Sequence, residues 1–259
     1  MERDQLDSRK EADNHIAARF VLGQLWIRLK KDSMGTLKRG LYHLFVGRFK
    51  YARDTGYDAP RFWQDRFERC GFSLASVTDE GFSEAENEER YRATREKFVE
   101  FCEGQNINFS SSRTLEIGCG TGFYTQTLCE LGVKELTGVD ITDVLFNGLR
   151  ESHPGYQFIR KDITTDKIEG SYDLVVMIDV VQHIVNENKL QFAMENIKEC
   201  LANDGVFVIA PLCETSRTAP LLYFLRMWSL SDVAKHFDNC TMSEPASFRD
   251  TDSIIAISR

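Results

Sequence analysis

Long apolar runs are missing from this 259-residue chain: none reaches the roughly 18 residues that a membrane-crossing helix requires. No two cysteines stand in a C-x-x-C pair. The seven (Cys70, Cys102, Cys119, Cys129, Cys200, Cys213, Cys240) are odd in number and scattered, which argues against a zinc site or a disulfide framework and for reduced thiols in a cytoplasmic setting. Internal repeats and low-complexity tracts are absent. No cluster of metal-ligating residues is visible, so no metal is expected and a metal-dependent, catechol-type mechanism is disfavoured. The first 13 residues are polar and mixed in charge, and read as a loose tail rather than a signal peptide.

Charge is present but unevenly spread. The formal net charge is −8, yet residues 14–53 carry nine basic side chains and one acidic one, Asp32. The remainder is therefore strongly acidic, which speaks against general nucleic-acid binding. The basic stretch reads as two amphipathic helices, with Ile16, Phe20, Leu25, Trp26 and Leu29 on one and Leu37, Leu41, Leu44 and Phe45 on the other. Their basic faces are either solvated or a surface for a partner, an acidic membrane or an anionic substrate. Oligomeric state is not encoded in any pattern found.

The chain divides near residue 110, into a 1–13 tail, a helical cap or lid over 14–109, and an α/β domain over 110–259. In the cap, Asp58 is placed to start a third helix that carries Pro60 in its first turn and stops at Gly71. Ser83 and Glu86 have the spacing of a capping box, opening a helix whose apolar face is Tyr91, Phe98, Phe101 and Cys102. From Arg113 onward short apolar runs alternate with helical stretches, the pattern of β-α-β units. Strands are expected at 114–117, 135–139, 156–160, 172–178 and 205–210, with helices at 123–131, 143–151, 187–202 and 230–237. An antiparallel pair, 241–248 with 253–258, closes the chain. The strands are almost wholly apolar, as when helices cover both faces of a mostly parallel, doubly wound sheet.

One segment is rich in chemistry: Leu115-Glu116-Ile117-Gly118-Cys119-Gly120-Thr121-Gly122-Phe123-Tyr124. It joins the first strand to its helix, where an open parallel sheet places its ligand. A dinucleotide fingerprint, G-x-G-x-x-G, would need a glycine at position 123; Phe123 stands there, and the glycines fall as G-x-G-x-G behind Glu116. Asp140 ends the second strand about 20 residues on, where a carboxylate can accept ribose hydroxyl protons. Asp162-Ile163 follows the third strand, and Asp179 through His183 leave the fourth.

This ordered set resembles the first motifs of class I S-adenosylmethionine-dependent methyltransferases, in particular small stand-alone ones, over about 113–259. The resemblance implies a seven-stranded, Rossmann-like sheet with a terminal antiparallel strand, and S-adenosyl-L-methionine as cofactor, released as S-adenosyl-L-homocysteine. Glu116, Gly118, Gly120, Gly122 and Tyr124 would lie at its amino-acid end, Asp140 and Ile141 at the ribose, Asp162 and Ile163 at the adenine, and Asp179 at cofactor or substrate. It also implies a lid helix carrying Trp63 and Arg66, the arginine pairing with the cofactor carboxylate, and substrate contacts after the fifth strand from Tyr223, Arg226 and Trp228. Asn203-Asp204-Gly205 replaces a proline-glycine turn common in the family.

Each residue has a bland reading beside the functional one. The glycines serve any tight turn, the strand-end acids meet solvent, and the aromatics at helical spacing on 63–67 fill a core. His183 is the candidate general base because imidazole titrates near neutrality, or else a helix-start residue bonded to a backbone carbonyl. The expected activity is methyl transfer to an oxygen, nitrogen or sulfur of a small molecule. Methylation of a protein or peptide, and cofactor binding without catalysis, are the alternatives. Asp179-Val180-Val181-Gln182 lacks the N/D-P-P-Y form associated with adenine or glutamine-amide acceptors.

Overall fold

The computed structural model describes residues 42–53, 56–78, 82–218 and 222–259. The sequence-predicted 1–13 tail, the helix over 16–29 and the first part of the one at 37–45 lie outside these residues. The protein is built on a sheet of β1 (Arg113–Ile117), β2 (Glu135–Asp140), β3 (Gln157–Arg160), β4 (Tyr172–Ile178), β5 (Leu201–Leu212), β6 (Ala246–Arg249) and β7 (Asp252–Ser258). The strand order runs β3-β2-β1-β4-β5-β7. All neighbours pair in parallel except β7, which enters antiparallel beside β5. Its other edge is covered in two pieces, by Thr241–Met242 and by β6.

Alternation along the strands sorts their side chains onto two buried faces. Leu115, Ile117, Val175, Met177, Phe207, Ile209, Ile255 and Ile257 pack with Leu190, Ala193, Met194 and Ile197 of α5 (Glu187–Cys200). On the opposite face, Leu136, Leu174, Val176, Ile178, Val208, Ile254 and Ala256 meet Phe98, Phe101 and Cys102 of α2 (Glu84–Gly104) and Leu128 of α3 (Phe123–Glu130). α2, on the cap side of the sequence boundary, is thus one of the helices covering the sheet. α1 (Ala59–Cys70) starts at Asp58, whose side chain accepts from Arg61 N, and ends at Gly71, as its sequence implied. α4 (Phe146–Ser152) covers Phe158 of β3, and α6 (Leu230–Ala234) follows β5. No helix among the described residues is long and apolar enough to cross a membrane.

Three local expectations are corrected. The helix expected from residue 143 begins at Phe146, because Asp140 and Thr142 hold the preceding residues in a turn: Thr142 N donates to Asp140 Oδ1 and Val144 N to Thr142 Oγ1. Asn203-Asp204-Gly205 is not a turn before β5 but a bulge within it: Tyr172 pairs with Leu201 while Leu174 pairs with Val206, so residues 202–205 loop out of the ladder. The penultimate strand is broken at residues 243–245, where Ser243 N and Oγ bond the Ala256 backbone instead.

The capping box is present: Ser83 Oγ accepts from Glu86 N and Glu86 Oε2 accepts from Ser83 N. Ser83→Ala is expected to cost about 1 kcal/mol of stability, read as a shifted urea midpoint with unchanged slope.

Candidate functional site

At the C-terminal ends of β1, β2, β3 and β4, under α1, lies a cavity of about 280 Å³. Its floor is the β1–α3 loop. Gly118 and Gly122 adopt φ of +74° and +80°, backbone that L side chains rarely take. A Cβ on Gly118 would stand 2.2 Å from Val180 Cγ2, and one on Gly122 would stand 2.4 Å from Leu149 Cδ2. Positions 118 and 122 are therefore held to glycine for two reasons, their left-handed turns and the close approach of the β4 exit and α4. Gly122 caps α3 and does not line the cavity, which corrects its expected ligand contact; Gly118, Gly120 and Tyr124 do line it.

Three acids from neighbouring strand ends border this floor. Asp140 is buried, and its Oδ2 accepts from Gly120 N at 2.9 Å, tying the β2 end to the loop. Desolvation lifts its pKa to about 6 against the pull of these backbone donors. Glu116 is also buried and accepts a 2.5 Å bond from Thr125 Oγ1 on α3. Burial pushes it up to about 8, and the nearby Asp140 charge adds to the rise. Asp162 takes Thr164 N and Oγ1 on the same oxygen, Oδ1. Ile141 and Ile163 supply apolar wall beside these acids.

The facing wall comes from α1, the 56–57 strand and the β4 exit. Trp63 Nε1 donates to Tyr57 Oη at 3.3 Å, and the Trp63 ring meets His183 edge-on at 4.8 Å. His183 Nδ1 lies 3.1 Å from the Phe224 carbonyl oxygen. A carbonyl only accepts, so Nδ1 carries the proton and Nε2 is the basic nitrogen. Desolvation lowers the His183 pKa to about 4, outweighing the support of the Phe224 bond; the ring is neutral at pH 7. His183 thus bonds a backbone carbonyl and also lines the cavity.

Other expectations fail on geometry. Arg66 is buried beneath α1, where it donates to the Ala75 and Thr78 carbonyls; it closes the turn after α1 and does not line the cavity. Trp228 is a core residue whose Nε1 donates to Ile184 O at 2.7 Å. Arg226 stacks over the Trp228 ring and pairs with Glu187. Tyr223 packs edge-on against Tyr57 and Phe62. None of the three lines the cavity; Tyr223 packs with the aromatic residues of its wall, and Arg226 and Trp228 lie beside the β4 exit.

Asp179 borders the cavity but is committed to Arg249 at the end of β6 through two parallel 2.8 Å bonds. This pairing was missed: the arginine is 70 residues away, and it meets Asp179 only once β7 inserts beside β5. Tyr57, Arg53, Lys161 and Lys189 are further lining residues that carried no motif. Arg53 had surfaced only as charge in the basic stretch.

Residues 115–207 match the family profile described as "Methyltransferase domain". Over that stretch the chain is similar to a methyltransferase domain. Among named relatives of this domain, malonyl-[acyl-carrier protein] O-methyltransferase of Bacillus cereus is 31% identical over 104 residues, 39% of this chain and 38% of that protein. Nodulation protein S of Azorhizobium caulinodans is 28% identical over 96 residues, 36% and 46% of the two chains. The chain thus spans less than half the length of these relatives. The methyltransferase domain is also similar in structure to the magnesium protoporphyrin IX methyltransferase of Synechocystis PCC 6803 solved with bound SAM, with TM-score 0.60 and 15% identity over 80% of this chain and all of that one. N-methyltransferase NodS of Bradyrhizobium japonicum, solved with S-adenosyl-L-homocysteine, gives TM-score 0.55 and 16% identity over 74% and 97%. These structures establish the fold of the domain.

The raised Glu116 pKa has a stability consequence. Its folded value, about 8, lies above the ordinary carboxyl value of 4.5. Across that window the native state holds the proton more tightly than the unfolded chain, so ligand-free stability falls as pH rises toward 8. Glu116→Gln is expected to gain on the order of 1–3 kcal/mol over wild type above pH 8 and little near pH 4, measured as thermal midpoints across pH.

Proposed function

We propose that the protein is an S-adenosyl-L-methionine-dependent methyltransferase acting on a small-molecule acceptor. One observation carries this reading: three carboxyl groups from adjacent strand ends share one cavity with a glycine-rich loop, and a neutral histidine stands on the facing wall. The donor set fits the cofactor. Two buried acids with raised pKa values, Glu116 and Asp140, favour a ligand that brings positive charge and hydroxyl donors. Glu116 and the loop would hold the ammonium end, Asp140 the ribose hydroxyls, and Asp162, through the oxygen Thr164 leaves untaken, the adenine amino group. Ile141 and Ile163 would flank the ring.

When bound, the cofactor supplies a methyl group already activated on a sulfonium, so the chain's task is to orient two reactants and exclude water. Trp63 and Tyr57 close the cavity on the acceptor side. His183, with its proton held on Nδ1 by the Phe224 carbonyl, presents Nε2 to take the proton of a hydroxyl acceptor; an amine acceptor needs only to arrive neutral. Small acceptors also figure in the names of relatives, which include a trans-aconitate 2-methyltransferase of Rhizobium rhizogenes, 28% identical over 98 residues.

Isothermal titration with S-adenosyl-L-homocysteine tests the binding half. Wild type is expected to bind in the micromolar range and to release protons near pH 7, as Glu116 ionises against the ligand ammonium. Gly118→Ala, which drives a Cβ into Val180, is expected to weaken binding at least tenfold. Absence of binding by wild type rejects the assignment, and binding without turnover on any acceptor identifies a cofactor-binding protein instead.

For a hydroxyl acceptor, His183→Ala is expected to lower kcat by about 10²–10⁴. Wild-type kcat should fall only as pH drops toward about 4, where His183 takes its second proton. Full turnover by the alanine variant excludes the base role.

A further inference from the structure

The described surface concentrates its greasy side chains in one place. Six large apolar or aromatic residues are exposed among the described residues, and four of them fall within eight positions: Tyr42, Phe45, Val46 and Phe49, the last 92% exposed. They sit on two successive short helical turns, Tyr42–Gly47 and Arg48–Tyr51. The inner side of this segment is anchored. Tyr51 is buried against Phe62 and donates to Asp65 Oδ2 at 2.8 Å; Lys50 pairs with the same carboxylate. Arg53 pairs with Asp58 at the start of α1. The outward apolar face is thus fixed to the frame of the cavity, which Arg53 itself lines.

The sequence run that carries this face has charge of one sign. From Ser33 to Arg53 the sequence holds no Asp or Glu but five Lys or Arg (Lys38, Arg39, Arg48, Lys50, Arg53). Lys50 and Arg53 are engaged with Asp65 and Asp58; Arg48 is exposed, and Lys38 and Arg39 precede the patch directly. The whole chain is −8, so this run opposes the charge of the body. Exposed Phe and Val interleaved with cations, over a short non-spanning segment, is the composition that lies in a headgroup layer: apolar side chains enter the acyl boundary while Arg and Lys meet lipid phosphates. A second copy of this chain would bring cation against cation on the same patch, and a nucleic acid would leave the apolar side chains in water.

We propose that residues 42–53 form an interfacial docking surface for an anionic lipid bilayer, held beside the mouth of the cavity. The attachment is peripheral and reversible. Without a second anchor such as a lipid chain it depends on both the buried apolar area and the surface potential.

Flotation of the full chain with vesicles tests this. Phosphatidylcholine vesicles with and without about 30% phosphatidylglycerol are compared in low and about 1 M salt, for wild type and the double variant Phe45→Ser/Phe49→Ser. Both side chains are solvent-exposed, so the variant is expected to fold and to keep wild-type affinity for S-adenosyl-L-homocysteine, which provides a control independent of lipid. Wild type should float with the anionic vesicles, and its partition should drop about tenfold in the double variant, in high salt and on phosphatidylcholine alone. Three results overturn the proposal: no flotation on anionic vesicles, flotation unchanged in the double variant, or a wild-type oligomer abolished by the double variant with no vesicle binding.

Discussion

The site rests on a buried carboxylate gripping a backbone loop. Asp140 accepts from Gly120 N with one oxygen and from Thr142 N with the other, so the end of β2 holds both the glycine turn and the start of the next connection. A second buried acid, Glu116, lies close by, and its own donor is Thr125. Desolvation disfavours the ionised form of each, which is why both pKa values stand above the ordinary range, and for Glu116 the Asp140 charge adds to the rise. A ligand carrying positive charge relieves that cost. Affinity for such a ligand and fragility without it are two consequences of the same burial.

Around this centre the rest of the chain acts as support. The β4 exit leans on the loop through Val180, whose methyl occupies the space a Gly118 side chain would need. Asp179, just before it, sits at a φ of +60° and is held by Arg249 from the terminal hairpin. Trp228 holds Ile184 from below, and Phe224 sets the tautomer of His183. The described residues after β5 therefore brace the cavity without supplying any of the groups that line it. Tyr223, Arg226 and Trp228 are among these bracing residues.

Much of the fold was legible in the sequence because it rests on local rules. Short, almost wholly apolar runs located the strands and announced a sheet covered on both faces, and the Asp58 and Ser83 caps located two of the helices. The glycine spacing and the acids at positions 116, 140 and 162 were legible for a related reason: each lies at a strand end, and in a parallel sheet those ends converge on one rim. The bulge at 202–205 was missed because it arises from the pairing of β5 with β4, which are distant in sequence. The start of α4 was a local miss, set by side-chain hydrogen bonds of Asp140 and Thr142 to backbone two residues on.

The sequence by itself determined the order of elements, the turn whose glycines must stay glycine and the acids that border it, since these follow from steric limits and periodicity within short windows. Only the tertiary structure decided which cations and aromatics reach the cavity. Arg66 was drawn to backbone carbonyls and Arg249 to Asp179, while Trp63 came to rest against His183 and Tyr57 to bond Trp63. Long side chains take the nearest compensating partner once the backbone has closed, and that partner is set by packing between elements rather than by position along the chain.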